Sequence, residues 1–227
     1  MDRVGRRGEA AGIFADLPEL ETERLLLRKM RPDDAEAMFA YASNPEVTRY
    51  VLWETHGSIK ESEDFLRFAN EGYERGDFGG WGVVLKTSGA FVGTCGLEAA
   101  PEHSRAELGY VLAREHWGRG LMPEVVRRVI RFCFERMDLN RVEARCIAEN
   151  TASARVMEKA GMSYEGTLRG REYIKGAHRD MKMYSILRRE YATAPRSSKE
   201  KRHDQQEAVA PSRLVGAVRE PPAYEPP

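Results

Sequence analysis

Residues 116–130 read HWGRGLMPEVVRRVI, with Gly118 and Gly120 on either side of an arginine and a helical pattern directly after them. Apolar residues recur at helical spacing from Met122 onwards, and a helix tolerates Pro123 in its first turn, so a helix is predicted to begin here. The first amides of a helix have no partner within it and lie at the positive end of its dipole. The stretch is therefore either an ordinary strand-to-helix turn or a binding site for an anion.

The segments around this turn predict a single α/β domain. Before it, a strand at 24–30 and helices at 31–44 and 58–76 lead into three short β-type runs at hairpin spacing, which is typical of a β-meander. After it come a strand, a short helix that ends at Gly161 and an antiparallel pair of strands. The predicted order is β-α-α-β-β-β-α-β-α-β-β. The remaining predicted segments are 80–86, 91–98 and 106–113 for the meander, 141–148 and 150–161 for the next strand and helix, and 162–173 and 178–188 for the final pair.

The composition excludes several classes of protein. The 36 basic and 36 acidic side chains cancel, so no net charge draws the chain to nucleic acid or to a membrane. Cys95, Cys133 and Cys146 form no CxxC pair and are predicted to be buried free thiols. The histidines show neither a metal-binding spacing nor a triad with serine, so we expect no metal. Without a long apolar run or the apolar core of a signal peptide, a cytoplasmic location is expected.

The chain of 227 residues suits one domain with tails. Residues 1–20 are predicted to be a loosely ordered extension, and residues 21–192 the folded domain. From residue 193 to residue 227 the sequence is rich in Pro, Ser, Gln and charged residues and has little to bury. We therefore expect a disordered tail there, either solvated or a partner-binding extension.

Two blocks of sequence, ELGYVLAREHWGRGLMPEVV (107–126) and NTASARVMEKAGM (150–162), together with the order of elements, resemble the GNAT superfamily of acyl-CoA N-acyltransferases. Within that superfamily the chain is similar to the RimJ/RimL-type ribosomal-protein N-acetyltransferases. The resemblance extends over roughly residues 20–192. It implies a GNAT fold with a mixed, mostly antiparallel central sheet flanked by helices, acetyl-CoA as cosubstrate and no metal.

The resemblance also implies where acetyl-CoA binds. The turn from Trp117 to Met122 would bind its pyrophosphate through backbone amides, and the strand from Tyr110 to Leu112 would lie along the pantetheine and offer an amide to the thioester carbonyl. Glu115 stands where the family pattern has Gln or Arg, which removes one expected side-chain contact. Asn150 would bond the pantetheine near the thiol, although Asn in this position is also a plain helix N-cap signal. The predicted cofactor-binding residues are Tyr110, Val111, Leu112, Trp117, Gly118, Arg119, Gly120, Leu121, Met122, Asn150 and Ser153.

Two further residues are candidates for proton transfer. Many family members place a Tyr where this chain has Met157, which cannot donate a proton, so Ser153 or a bound water is the candidate acid. Glu107, just before the cofactor strand, is the candidate base, unless it is only an exposed charge on a half-buried strand. An α-amine with a pKa of about 8 needs only a modest base, whereas a lysine amine near 10.4 lies about 4.6 kcal/mol from deprotonation at pH 7.

The acceptor is predicted to be an amine, and the fold alone does not decide which one. A protein N-terminal α-amine is favoured, with a small amine such as a polyamine, an amino sugar antibiotic or an amino acid as the alternative. Glu98, Glu143 and Tyr173 are further candidates for the acceptor cleft. A non-catalytic acyl-CoA sensor whose tail meets a partner is the hypothesis from another class. No direct binding to nucleic acid or membrane is expected, and the protein is predicted to be a monomer or a homodimer.

Overall fold

A computed structural model describes Phe14 and residues 17–193. Within these residues, eight strands form one open sheet in the order β1-β2-β3-β4-β5-β6-β8-β7. The strands are β1 (Leu20–Glu21), β2 (Leu25–Arg28), β3 (Gly79–Leu85), β4 (Phe91–Ala100), β5 (Arg105–Leu112), β6 (Arg141–Ile147), β7 (Ser163–Ile174) and β8 (Ala177–Leu187). All neighbours are antiparallel except β5 and β6, which confirms the predicted mixed, mostly antiparallel sheet.

The helices follow the predicted order, with short additions. They are α1 (Ala35–Ala42), α2 (Pro45–Thr48), α3 (Ile59–Arg75), α4 (Leu121–Glu135), α5 (Thr151–Lys159) and α6 (Arg188–Thr193). The helix predicted over 31–44 instead begins as a 3-10 turn at Pro32–Asp34 and ends at Ala42. Asn44 then caps α2, because its side chain accepts the amide hydrogen of Glu46 at 2.9 Å.

The core lies between the sheet and the helices, and α4 is its largest contributor. The apolar residues predicted to line one face of this helix are buried, with Val125, Val126 and Val129 fully enclosed. Phe132 of α4 packs edge-on against the ring of Trp81 on β3, with 5.5 Å between ring centroids. This packing joins the last turn of α4 to β3, and the buried valines hold the rest of the helix in the core.

The described residues near the two ends of the folded domain can be compared with its predicted boundaries. Leu17 and Leu20 are buried in the core, so the last residues of the predicted N-terminal extension pack against the sheet. Most of that extension, and the tail from residue 194 onwards, lie outside the described residues, and the boundaries at 21 and 193 stay predictions. The three cysteines are buried and free, as predicted. In the part of the chain that is described, no helix is long and apolar enough to cross a membrane.

Candidate active site

The sheet opens between its two parallel strands. β5 pairs with β4 along its full length, from Arg105 to Leu112, but with β6 only over Arg105–Glu107. β6 runs on to Ile147 with β8 as its partner. Because alternate residues of a strand direct their backbone groups to opposite edges, β5 presents unpaired amides and carbonyls to the gap after Glu107. The gap therefore offers backbone hydrogen bonds to an extended ligand.

The glycine turn lies between the end of β5 and the start of α4. Gly118 and Gly120 both have a φ of 74°, in the left-handed region that glycine adopts without strain. An added Cβ would meet nothing within 4 Å at Gly118, and at Gly120 only Arg24 Nη2 at 3.7 Å. The glycines are therefore required by backbone conformation, and no protein atom crowds them.

The amides of this turn are available to a ligand. Gly120 is the N-cap residue of α4 and no side chain caps the helix. Among the described residues, no hydrogen bond is donated by the amides of residues 118–122. Free amides at the positive end of a 15-residue helix attract an anion.

Arg24, the residue before β2, forms hydrogen bonds with the glycine turn and with the start of α4. Its Nη1 donates to the carbonyl oxygen of Arg119 at 2.9 Å, and its Nε donates to Glu124 of α4 at 2.8 Å. The backbone amide of Arg24 donates to the same carboxylate at 3.0 Å. Burial acts to raise the pKa of Glu124, but its hydrogen bonds, to Thr22 and Arg24, outweigh this and lower it, so the carboxylate stays ionised. Since the Gly120 amide points opposite to the Arg119 carbonyl, the contact turns that amide away from Arg24.

Trp117 joins the turn to the end of β5. Its Nε1 donates to the carbonyl oxygen of Leu112 at 2.7 Å, and the guanidinium of Arg114 lies 4.8 Å from the ring centroid. Arg114 is itself paired with Glu46 at 2.7 Å. Glu115, which departs from the family pattern, has a side chain that is 70% exposed.

On the far side of the gap, Tyr110 of β5 meets the start of α5. Its hydroxyl lies 2.9 Å from Ser153 Oγ and 3.0 Å from the carbonyl oxygen of Ser153. Burial raises the pKa of the Tyr110 hydroxyl, so it stays protonated. Asn150 Oδ1 accepts the amide hydrogen of Ser153 at 3.1 Å, which confirms the N-cap interpretation of Asn150. Met157, in the position of the family's Tyr, is fully buried.

Glu107 lies where β5 and β6 begin to separate. It is only 21% exposed and accepts a hydrogen bond from Arg145 Nη1 at 2.7 Å, so it is not a freely solvated charge. Burial raises the pKa of Glu107, Arg145 opposes that shift, and the neighbouring carboxylates of Glu143 and Glu98 add to it. Glu98 and Glu143 stand opposite Glu107 in the strand register. A carboxylate with a raised pKa at the mouth of the gap is a competent proton acceptor.

Three contacts of this site were missed by the sequence analysis. The tie from Arg24 to Glu124 joins residues 100 positions apart, and no local pattern signals it. The hydrogen bond between Tyr110 and Ser153 likewise depends on packing. The contact between Arg145 and Glu107 did have a signal in the sequence. Arg141, Glu143 and Arg145 alternate along β6 and so share one face of the sheet.

Comparison with known proteins decides the family. A family model described as "Acetyltransferase (GNAT) domain" matches residues 24–163. The chain belongs to the GNAT family of acetyltransferases. The predicted fold and the predicted class of enzyme, an N-acetyltransferase, are confirmed.

Individual relatives agree with this assignment. The GNAT chain is 38% identical to "Uncharacterized N-acetyltransferase p20" of Bacillus licheniformis over 174 residues, 76% of this chain and 98% of p20. It is 28% identical to "Putative ribosomal N-acetyltransferase YdaF" of Bacillus subtilis (strain 168) over 74% of this chain and 94% of YdaF. The crystal structure of a GNAT-family acetyltransferase from Bacillus anthracis is similar with a TM-score of 0.69 and 28% identity, covering 76% of this chain and 99% of that one.

Proposed function

We propose that this GNAT enzyme transfers an acetyl group from acetyl-CoA to a protein N-terminal α-amine. The observation that carries the proposal is the glycine turn with free amides directly after the open end of β5. The ribosomal name of YdaF and the modest base required by an α-amine support the choice of acceptor.

The residues of the turn fit an anionic cofactor. The free amides from Gly118 to Met122 would hold the pyrophosphate of acetyl-CoA, and each hydrogen bond to a charged group contributes about 1.5–3 kcal/mol. The Trp117 amide, which was predicted to take part, already donates to the carbonyl oxygen of Arg114 at 3.2 Å. The backbone of Tyr110, Val111 and Leu112 would hold the pantetheine and direct an amide at the thioester carbonyl. Bound there, acetyl-CoA supplies an acetyl group activated as a thioester.

Two side chains would move protons. Glu107 takes the proton from the incoming amine, directly or through water, and its burial brings its pKa closer to that of the amine. Ser153, whose Oγ shares a hydrogen bond with Tyr110, holds a hydroxyl proton beside the predicted position of the sulfur. Asn150 keeps its side-chain NH₂ group for the pantetheine while its Oδ1 caps α5.

The test is calorimetry with acetyl-CoA followed by turnover, measured as thiol release, on two panels of acceptors. The first panel holds peptides with free N-termini that begin with Ser, Ala or Met, matched to blocked peptides that carry one internal lysine. The second holds polyamines, amino sugars and amino acids. We expect turnover of the free N-terminal peptides alone. A blocked lysine peptide or a small amine as the better substrate contradicts the α-amine assignment, and thioester cleavage with any amine rules out a purely sensory role.

A further inference from the structure

A concave site lies next to the segment that joins β6 to Asn150. It is a pocket of about 280 Å³ at the carboxyl end of β6. Its floor is apolar, formed by Ile147 and Ile174, which are buried in a small cluster with Met181. The amide of Asn150 donates to the carbonyl oxygen of Ile147 at 2.8 Å, so the pocket adjoins the candidate active site directly.

The rim of the pocket is cationic. Arg49, Lys175 and Arg179 line it together with a single carboxylate, Glu149. In the described part of the chain, no carboxylate lies within 4 Å of either arginine, and the Arg49 guanidinium stacks 5.2 Å from the ring centroid of Tyr50.

Three other arginines on the same face of the sheet differ in this respect. Arg105, Arg141 and Arg145 each have a glutamate partner. The pocket therefore combines three positive charges with one carboxylate and keeps an excess of positive charge.

Lys175 reaches the rim at a conformational cost. It forms a two-residue turn with Gly176 between β7 and β8, and its φ is 49°, in the left-handed region. Hairpin turns of this kind favour Asn or Gly at that position, so a lysine contradicts the local preference. The Lys175 Nζ donates to the carbonyl oxygen of Thr48 at 2.6 Å and so links the hairpin tip to the segment that carries Arg49. Departures of this type are typical of sites kept for function.

We propose that this pocket binds a carboxylate side chain of the acceptor, so that the enzyme selects acidic N-terminal peptides. The inference rests on the proposed function, because it names the class of N-terminus acetylated. Ile147 is three residues from Asn150, a span of at most about 10 Å, which an extended peptide covers in its first few residues. The carboxylate would come from the second to fourth residue of the acceptor. A polyamine would bring like charges to the same rim.

The experiment compares kcat/KM at saturating acetyl-CoA for peptides of equal length that all begin with Ser. Residues two to four are Asp, Ala or Lys in turn. We expect the wild-type enzyme to prefer the Asp peptide over the Ala peptide by about 10-fold and over the Lys peptide by more, since charge-assisted hydrogen bonds are the strong ones. The preference should decrease as salt is added.

Variants separate the pocket from general surface charge. Arg49→Glu and Arg179→Glu should each abolish the acidic preference, because either change leaves two cations and two carboxylates on the rim. Arg169→Glu is the matched control, because Arg169 is exposed on β7 and does not line the pocket, and it should leave the preference unchanged. Lys175→Asn suits the turn better and should weaken the acidic preference without lowering the melting temperature.

The outcomes distinguish this inference from the proposed function. Equal turnover of the three peptides, or an acidic preference that survives both charge reversals, overturns the pocket assignment and leaves N-terminal acetylation standing. Turnover of spermidine or another small amine with none of the peptides overturns the proposed function, and the pocket assignment with it.

Discussion

Replacing each turn glycine by alanine measures how far cofactor binding depends on the left-handed backbone. Gly118 and Gly120 have a φ of 74°, where an L-residue costs about 1–2 kcal/mol. The added Cβ meets no atom closer than 3.7 Å, so crowding contributes nothing. Strain that the free enzyme retains would lower its stability by up to about 1–2 kcal/mol, and each kcal/mol lowers the melting temperature by roughly 2–4 °C in a domain of this size. Strain that the free enzyme relieves by changing its backbone leaves stability nearly unchanged and returns when the cofactor binds.

The same strain predicts the loss of affinity for acetyl-CoA. In the free enzyme, the alanine variant relieves its strain by rotating the peptide groups on either side of the new alanine. These peptide groups carry amides assigned to the pyrophosphate. The cofactor must restore the left-handed conformation when it binds. The dissociation constant should therefore rise by up to the strain energy, or about 5- to 30-fold.

Gly89→Ala is the control. Gly89 has a φ of 70° and nothing within 4 Å of an added Cβ, but it lies in the turn between β3 and β4. Calorimetry should show weaker acetyl-CoA binding in the Gly118 and Gly120 variants alone, while thermal unfolding of all three variants measures how much of the strain each one retains. Unchanged affinity in those two at unchanged stability, where the strain has been relieved and yet does not oppose binding, refutes the assignment of the pyrophosphate to this turn.

Three further predictions concern protons and charge. Glu107→Gln should lower kcat by about 100-fold. In the wild-type enzyme, the acid limb of the pH profile should lie at a higher pH than the pKa of an ordinary glutamate. The reason is that burial raises the pKa of Glu107 and only its ionised form accepts a proton. Ser153→Ala should reduce kcat more than Tyr110→Phe does, because the tyrosine variant keeps the serine hydroxyl. If steady-state kinetics show the larger loss of kcat for Tyr110→Phe, the general acid is the tyrosine. The hydrogen bond from Arg141 lowers the pKa of Glu165 to about 2, so its contribution to stability is present above the ordinary glutamate pKa and disappears as the pH falls towards 2. Glu165→Gln should flatten that part of a melting-temperature profile, with the effect kept small by the exposure of the pair.

The parts of the fold that follow local rules were predictable. The helix α4 was found from its apolar spacing, and Ser58 was recognised as the start of α3, where it forms a capping box with Glu61. The turn at Gly118 and Gly120 was expected from the two glycines, and its left-handed backbone is a conformation that glycine adopts without strain.

Contacts between distant segments were not predictable in this way. Arg24 and Glu124 meet only because β2 and α4 pack side by side, and no spacing in the sequence records that. Lys175 shows a different limit, because the turn it forms with Gly176 has a clear chemical preference that this sequence does not follow. The cationic pocket was therefore missed, since its charges come from three segments that meet only in the folded sheet.

The position of β8 has a consequence for synthesis of the chain. β8 is the last strand to be made, yet it lies inside the sheet between β6 and β7. Until Ala177–Leu187 has emerged, β6 has only its three residue pairs with β5, and β7 lacks the strand it pairs with. Unpaired strand edges are templates for association with other chains. A nascent chain halted before β8 would expose two such edges, and the same event that covers them brings Arg179 to the cationic pocket. Protection from aggregation and completion of the cationic pocket are thus coupled in time.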